Sequence, residues 1–176
     1  LKTKKVSFFQ LRLKNYSLKK KIIIGNKIKN ICKKNKVKFI INDSPLVAKK
    51  IGADGCHIGQ NDGSIKNARL ILKNKIIGVT CHNSIKLIKK ASEEGADYIA
   101  IGAFYSSKTK KVKYKAPKKL LIDAKKITKI PLVAIGGINS KNYKKLLLNN
   151  ANFLAISSYV WNNKKNKPKK TIELLK

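Results

Sequence analysis

Short runs of β-branched and aliphatic residues alternate along this chain with longer segments in which lysines recur between apolar positions. The runs Val6–Arg12, Val37–Asn42, Gly55–Gly59, Ile76–Thr80, Tyr98–Gly102, Leu132–Ile135 and Phe153–Ser157 predict buried strands. Leu18–Lys34, Pro45–Ile51, Ile65–Leu72, Ser84–Glu94, Pro117–Lys126 and Lys141–Asn149 predict amphipathic helices, with Ser84 and Ser140 standing where N-caps belong. Strand and helix alternating at this spacing mean βα units and a parallel sheet. A weak repeat points to similar modules: Gly52-Ala53-Asp54, Gly95-Ala96-Asp97 and Asn150-Ala151-Asn152 each precede a strand, where a left-handed residue suits the end of a helix. The predicted architecture is a TIM-type (β/α)8 barrel, with a doubly wound open sheet as runner-up. No GxGxxG follows any strand, which removes the best-known nucleotide signature of that runner-up.

Seven strands are legible where a closed barrel of this type has eight. The eighth would precede Leu1, so the barrel is expected either to lack its first strand and helix or to close imperfectly. The chain begins at Leu1 and contains no methionine, so an incomplete N-terminus is expected. Residues 1–162 read as one barrel domain and 163–176 as a lysine-rich tail or helix.

Composition changes the picture in one respect. A formal net charge of +34 over 176 residues invites a nucleic-acid reading. The charge is built almost wholly from lysine, since Arg12 and Arg69 are the only arginines. Specific nucleic-acid readers use the guanidinium fork and stacking aromatics, and both are scarce here. The lysines are spread along the whole length, so a diffuse, solvated basic surface is expected and nucleic acid is not the expected partner. Cys32, Cys56 and Cys81 are odd in number and lack CxxC spacing. They read as small buried residues in a reducing cytoplasm, not as a disulfide framework or a zinc site. No apolar run approaches the roughly 20 residues that span a bilayer, and no charged-then-apolar leader precedes the first element.

In a parallel barrel, reactive groups gather at the C-terminal ends of strands. Among eight acidic residues, only Asp43 and Asp62 stand just past predicted strand ends. Two carboxylates on successive βα loops suit a Mg²⁺ ion whose shell is completed by water and substrate phosphate. The competing reading is an N-cap for the following helix, serious for Asp43 before Ser44-Pro45. Gln10, Arg12 and Lys14 share one face by period-2 spacing at the end of the first strand, where an arginine fork suits a phosphate. The long polar loop from Ala103 to Ala116 carries Ser106, Ser107, Thr109 and Lys110, groups suited to a polyphosphate. Gly136-Gly137 and Ile156-Ser157-Ser158 end the last two strands, where bare backbone N–H groups commonly make a monophosphate site. His57, within a strand beside Cys56, reads as a packed core histidine, whereas His82 follows a strand end and borders the expected site. Two phosphate-binding zones with a metal between them suit a reaction that joins or exchanges two phosphorylated small molecules.

From Gln10 to Trp161 the segments QLRLK, IINDSP, GADGCHIGQND, IIGVTCHNS, EGADYIAIGAFYSSKTK, VAIGGI and FLAIS follow in order. Together they resemble the thiamine-phosphate synthase family. The resemblance implies a cytoplasmic transferase that couples 4-amino-2-methyl-5-hydroxymethylpyrimidine diphosphate with hydroxyethylthiazole phosphate, releasing pyrophosphate. It implies that Gln10, Arg12, Lys14, Asn42 and Lys110 hold the pyrimidine diphosphate and that Asp43 and Asp62 bind Mg²⁺. Thr80, often serine in the family, would face the leaving group. Ser107 and Thr109, with backbone at Gly137, Ile156 and Ser157, would hold the thiazole phosphate. Arg12, Lys14, Thr80 and Lys110 would carry the catalytic charge neutralisation. The run Ala103-Phe104-Tyr105-Ser106-Ser107 departs from the family's commoner Pro-Ile-Phe-Pro-Thr. Two alternatives are weighed: a related thiazole tautomerase, which would need an acid–base group such as His82, and a non-catalytic polyanion-binding protein on the same fold.

Overall fold

The computed structural model describes residue 1, residues 3–106 and residues 114–175. They form two compact units, Leu1–Val79 and Thr80–Lys176. In the first unit, β1 (Phe8–Leu11), β2 (Lys38–Asn42), β3 (Gly55–Ile58) and β4 (Ile76–His82, which ends in the second unit) pair in chain order, every pair parallel. Three helices connect them: α1 (Leu18–Lys34), α2 (Pro45–Ile51) and α3 (Ile65–Leu72). In the second unit, β5 (Tyr98–Ile101), β6 (Leu132–Ile135) and β7 (Phe153–Ala155) are again parallel and in chain order. They are joined through α5 (Lys119–Ile127) and α6 (Tyr143–Leu147); α4 (Ile85–Glu93) leads into β5. Two short helices, α7 (Ser158–Trp161) and α8 (Pro168–Glu173), follow β7. A doubly wound sheet would reverse its strand order at a switch point. Neither unit does so.

Local chemistry explains the elements. The predicted limits of α1, α2 and α3 are the observed ones, because each begins after a serine whose hydroxyl accepts a backbone N–H of the first turn. Ser17 takes that of Lys20, Ser44 that of Val47 and Ser64 that of Asn67. Ser84 caps α4 in the same way through Leu87. Ser140 does not cap α6, contrary to expectation. Residues 139–142 close a tight turn of their own, so the helix starts later with Asn142 at its N-cap.

The Gly-Ala-Asp repeat has a definite role. Gly52, Gly95 and Asn150 all have positive φ, at 66°, 81° and 74°, and turn the chain out of a helix. The third residue then ties adjacent strands together. Asp54 Oδ2 accepts the Phe39 N–H at 2.8 Å, and Asn152 Oδ1 accepts the Leu132 N–H at 2.9 Å. Asp54 is thus a structural group at the N-terminal side of the sheet, as its place before β3 predicts.

The first unit buries Phe39, Ile40, Ile51, Ile58 and Ile77 almost completely; the second does the same with Ile88, Ile99, Ile101, Leu121, Leu132 and Leu146. All four residues of β3 are buried. Gly55 has no room for a side chain, since a Cβ there would overlap the Ile76 carbonyl of β4. None of the described lysines is buried. Ion pairs such as Lys38–Asp54, Lys89–Glu93, Lys90–Glu94 and Lys126–Asp123 are long, at 3.4 to 4.0 Å, have exposed lysines and contribute little. No helix of the described residues is long and apolar enough to cross a membrane.

Candidate active site

The first region lies within the unit Leu1–Val79, at the C-terminal ends of β1, β2 and β3. β1 stops at Leu11, so Arg12 and Lys14 stand on the exposed segment just beyond it. Gln10 pairs with Ile40 in register, which places its side chain beside the end of β2, where its amide donates to Asn42 Oδ1. The next residue, Asp43, has φ 69°, and its N–H donates to the His57 carbonyl at 2.8 Å. The Asp43 carboxyl does not cap α2. Ser44 takes the cap instead.

Asp62 arrives from the next loop. Its Oδ2 accepts the Gly59 N–H at 2.8 Å, which holds a tight turn after β3, while Ser64 caps α3. The capping alternative for both carboxylates is therefore not what the fold uses. The two carboxyl groups instead meet in a side-chain hydrogen bond. Burial, then the Asp62 charge and that hydrogen bond, raise the Asp43 pKa, against the partial pull of Lys14 and Arg12. Gln10, Arg12, Lys14, Asn42, Asp43 and Asp62, spread over fifty residues of sequence, are thus brought together.

Cys56, on β3, feels the charge of both carboxyl groups. Burial, then Asp43 and Asp62, push its thiol up to about 12, so it stays a neutral packing group. Cys32 and Cys81 are likewise buried and free, as expected of small apolar residues.

His57 is a core residue, 7% exposed, with its pKa lowered to about 4 chiefly by burial, against an opposing pull from Asp62. An unfolded chain protonates this ring as pH falls through about 6.5, whereas the folded one resists until about 4. Stability present at neutral pH is therefore lost as pH falls between those values, by about 2 kcal/mol at pH 5 for this group alone. Thermal melts at pH 7.5 and 5.0 should show a larger acid shift for the parent than for His57→Gln. Equal shifts would mean that the histidine is protonated in the fold.

The second region lies within Thr80–Lys176. Thr80 is half-buried on β4 between buried Val79 and Cys81. His82 follows at φ 52°; its carbonyl accepts the Gly102 N–H at 2.9 Å, and its ring lies 4.9 Å from that of Tyr114. Tyr114 and Ala116 bridge both ways to Ala103, closing the stem of the long loop. Ser107, Thr109 and Lys110, expected on that loop, lie outside the described residues.

The glycine pair after β6 also meets the chain itself. A Cβ on Gly136 would overlap Ala103, and one on Gly137 would overlap the Ser106 carbonyl and lie 2.7 Å from Tyr105 Cβ. Both residues have positive φ, at 92° and 64°. Phe104 and Tyr105 donate their N–H groups to the Ile135 and Gly136 carbonyls at 3.0 and 3.1 Å. The glycines are thus required by the loop stem that docks on them. Among the described residues, no hydrogen-bond acceptor meets the N–H of Gly137, Ile156 or Ser157. Donors without an acceptor of their own at two neighbouring strand ends suit an anion.

Sequence reasoning missed Tyr105, Tyr114 and Asn142, which position these loops. No periodicity or spacing rule marks such aromatic and amide residues in loops.

The family model for thiamine monophosphate synthase matches residues 1–160. Thiamine-phosphate synthase of Pelagibacter ubique (strain HTCC1062) is 66% identical over 176 residues, covering 100% of this chain and 85% of that one. The enzyme of the same name from Erythrobacter litoralis (strain HTCC2594) is 43% identical over 159 residues, covering 89% and 75%. Among solved structures, thiamine phosphate pyrophosphorylase from Pyrococcus furiosus superposes with a TM-score of 0.88 at 28% identity, over 96% of this chain and 80% of that one. A 3-hexulose-6-phosphate synthase, at 15% identity and a TM-score of 0.69 over 99% and 87%, shares the fold alone. The fold class expected from the sequence, a TIM-type (β/α) barrel with seven of its eight strands, is the one these matches show.

Proposed function

The chain belongs to the thiamine monophosphate synthase family, and from that premise we propose that it couples the aminopyrimidine diphosphate with hydroxyethylthiazole phosphate, yielding thiamine phosphate and pyrophosphate. One observation carries the assignment of the site. Asp43 and Asp62 turn their carboxyl groups toward each other, freed from helix capping, with Arg12 and Lys14 close enough to act on Asp43. Such a pair is costly without a cation, and its all-oxygen donor set is that of a magnesium site completed by substrate phosphate and water.

In this reading Gln10 and Asn42 orient the aminopyrimidine, while Arg12, Lys14 and Lys110 bind the diphosphate. Asp43 and Asp62 would hold Mg²⁺, which when bound would supply further charge neutralisation to the pyrophosphate. The bond between the pyrimidine methylene carbon and the diphosphate oxygen breaks, and both electrons leave with the pyrophosphate. The thiazole nitrogen then donates its lone pair to the methylene cation. No proton must be removed for that bond to form, so positioning and electrostatics supply the catalysis. Thr80 offers a hydroxyl to the departing oxygen. Ser107 and Thr109, with the N–H groups of Gly137, Ile156 and Ser157, hold the thiazole phosphate. A tautomerase would have no use for the carboxylate pair, which favours the synthase. The setting is the cytoplasm, in line with three free cysteines.

The test is formation of thiamine phosphate from the two substrates, read as fluorescent thiochrome after oxidation, with Mg²⁺ or with EDTA. Product that requires Mg²⁺ is expected. A folded protein that binds both substrates without product, or binds only polyanions with a steep salt slope, would remove this reading.

A further inference from the structure

Resting on the thiazole-phosphate site just proposed, we infer that Asn142 is a positioning residue that sets the anion-binding turn after β6. Asparagine at a helix N-cap ordinarily accepts an N–H from the first turn of its own helix. Asn142 stands at the N-cap of α6 and makes no such bond. Its side chain turns back instead. Nδ2 donates to the Gly137 carbonyl at 3.0 Å, and Oδ1 accepts the Asn139 N–H at 2.9 Å. Its own carbonyl accepts the Tyr105 hydroxyl at 3.2 Å. One residue thereby closes the turn from 137 to 142 and fastens it to the stem of the long loop.

Peptide planarity gives this arrangement its consequence. A carbonyl and the N–H that follows it lie in one plane and point in opposite directions. The Gly136 carbonyl is held by the Tyr105 N–H, which fixes the direction of the Gly137 N–H. The Gly137 carbonyl is held by Asn142 Nδ2 at 3.0 Å, with Asn139 Nδ2 a longer second donor at 3.4 Å, which fixes the direction of the Ile138 N–H. Gly137 sits between these two planes at φ 64°, where a glycine has little intrinsic preference and rotates easily. Without the Asn142 amide, the plane after Gly137 keeps only the longer Asn139 contact, and the turn that carries the Gly137 N–H loses its closer anchor on that side. Asn142 thus acts on the phosphate through the turn, without touching it.

The experiment compares Asn142→Ala and Asn142→Ser with the parent, using hydroxyethylthiazole phosphate and the dephosphorylated hydroxyethylthiazole as alternative acceptors. Asn142→Ser loses the amide donor to Gly137 without bringing a charge near the phosphate, and serine is a favoured N-cap residue, so it serves if the alanine variant folds poorly. Expected in both variants is a preference for phosphate over alcohol, in kcat/KM, about 10-fold smaller than in the parent, the scale of one hydrogen bond to a charged group. KM for the pyrimidine diphosphate should stay within about twofold, a split that general loosening of the fold would not produce. A parent that prefers the phosphate and variants that keep this preference undiminished would overturn the role of Asn142 alone. A parent with no preference for the phosphate would overturn the phosphate site and this role together.

Discussion

Asp43→Asn lowers thiamine phosphate formation by about 100- to 1000-fold at saturating Mg²⁺, while the metal-free protein melts no lower than the parent. Two forces set these opposite signs. The Asp43 carboxyl is already uncomfortable in the fold, raised in pKa by burial and by Asp62. An amide of the same shape removes that like-charge contact and gives Asp62 a donor. The proposed metal site loses one of its two protein carboxylates by the same change, and with it the neutralisation of the leaving pyrophosphate. Removing one preorganised electrostatic partner from a transition state typically costs two to three powers of ten, or about 3–4 kcal/mol. Thiochrome yield against Mg²⁺ concentration measures the first effect and a thermal melt in EDTA the second. Activity within tenfold of the parent would mean that the pair does not hold the catalytic ion. A melting point well below the parent's would mean that Asp43 is a structural group. Asp62→Asn is a less clean probe, because Asp62 Oδ2 also holds the Gly59 N–H.

Gly137→Ala is expected to destabilise the fold by about 2–4 kcal/mol and to weaken thiazole phosphate binding together with it. The left-handed φ of 64° accounts for about 1 kcal/mol of this. The rest is steric. The new Cβ would overlap the Ser106 carbonyl and crowd Tyr105, and a backbone carbonyl held in a loop stem yields less than the tip of a side chain. Gly95→Ala provides the control, since Gly95 has φ 81° with nothing within 4 Å of an added Cβ. It should cost about 1 kcal/mol and leave the substrate constants alone. Chemical denaturation of the two variants beside the parent separates the contributions. A Gly137→Ala loss no larger than that of Gly95→Ala would show that the loop stem accommodates the methyl group.

These two variants also mark how far the sequence could be read. The positions of Asp43 and Gly137 past strand ends follow from local periodicity. What each residue does there does not. Asp43 before Ser44-Pro45 had two roles open to it, capping α2 or meeting a cation, and the choice turned on whether Ser44 or Asp43 took the Val47 N–H. Gly136-Gly137 read as part of a monophosphate site, but that these glycines also pack against Ala103, Tyr105 and Ser106, more than thirty residues away in sequence, was not legible. His57 is the opposite case. Its place inside an apolar run was enough to predict a buried, uncharged ring.

The sequence by itself determined the alternation of strand and helix, the three helices whose limits are set by Ser17, Ser44 and Ser64, and the left-handed exits at Gly52, Gly95 and Asn150. These depend on side-chain periodicity and on hydrogen bonds between residues only a few positions apart, which the order of residues fixes directly. Only the tertiary structure decided that Gln10 meets Asn42, that Asp43 meets Asp62, and that Asn142 abandons its own helix to hold Gly137. Each of these joins depends on strand register or on where a loop folds back. Periodicity states which face a residue occupies, whereas its partner is set by packing among segments distant along the chain.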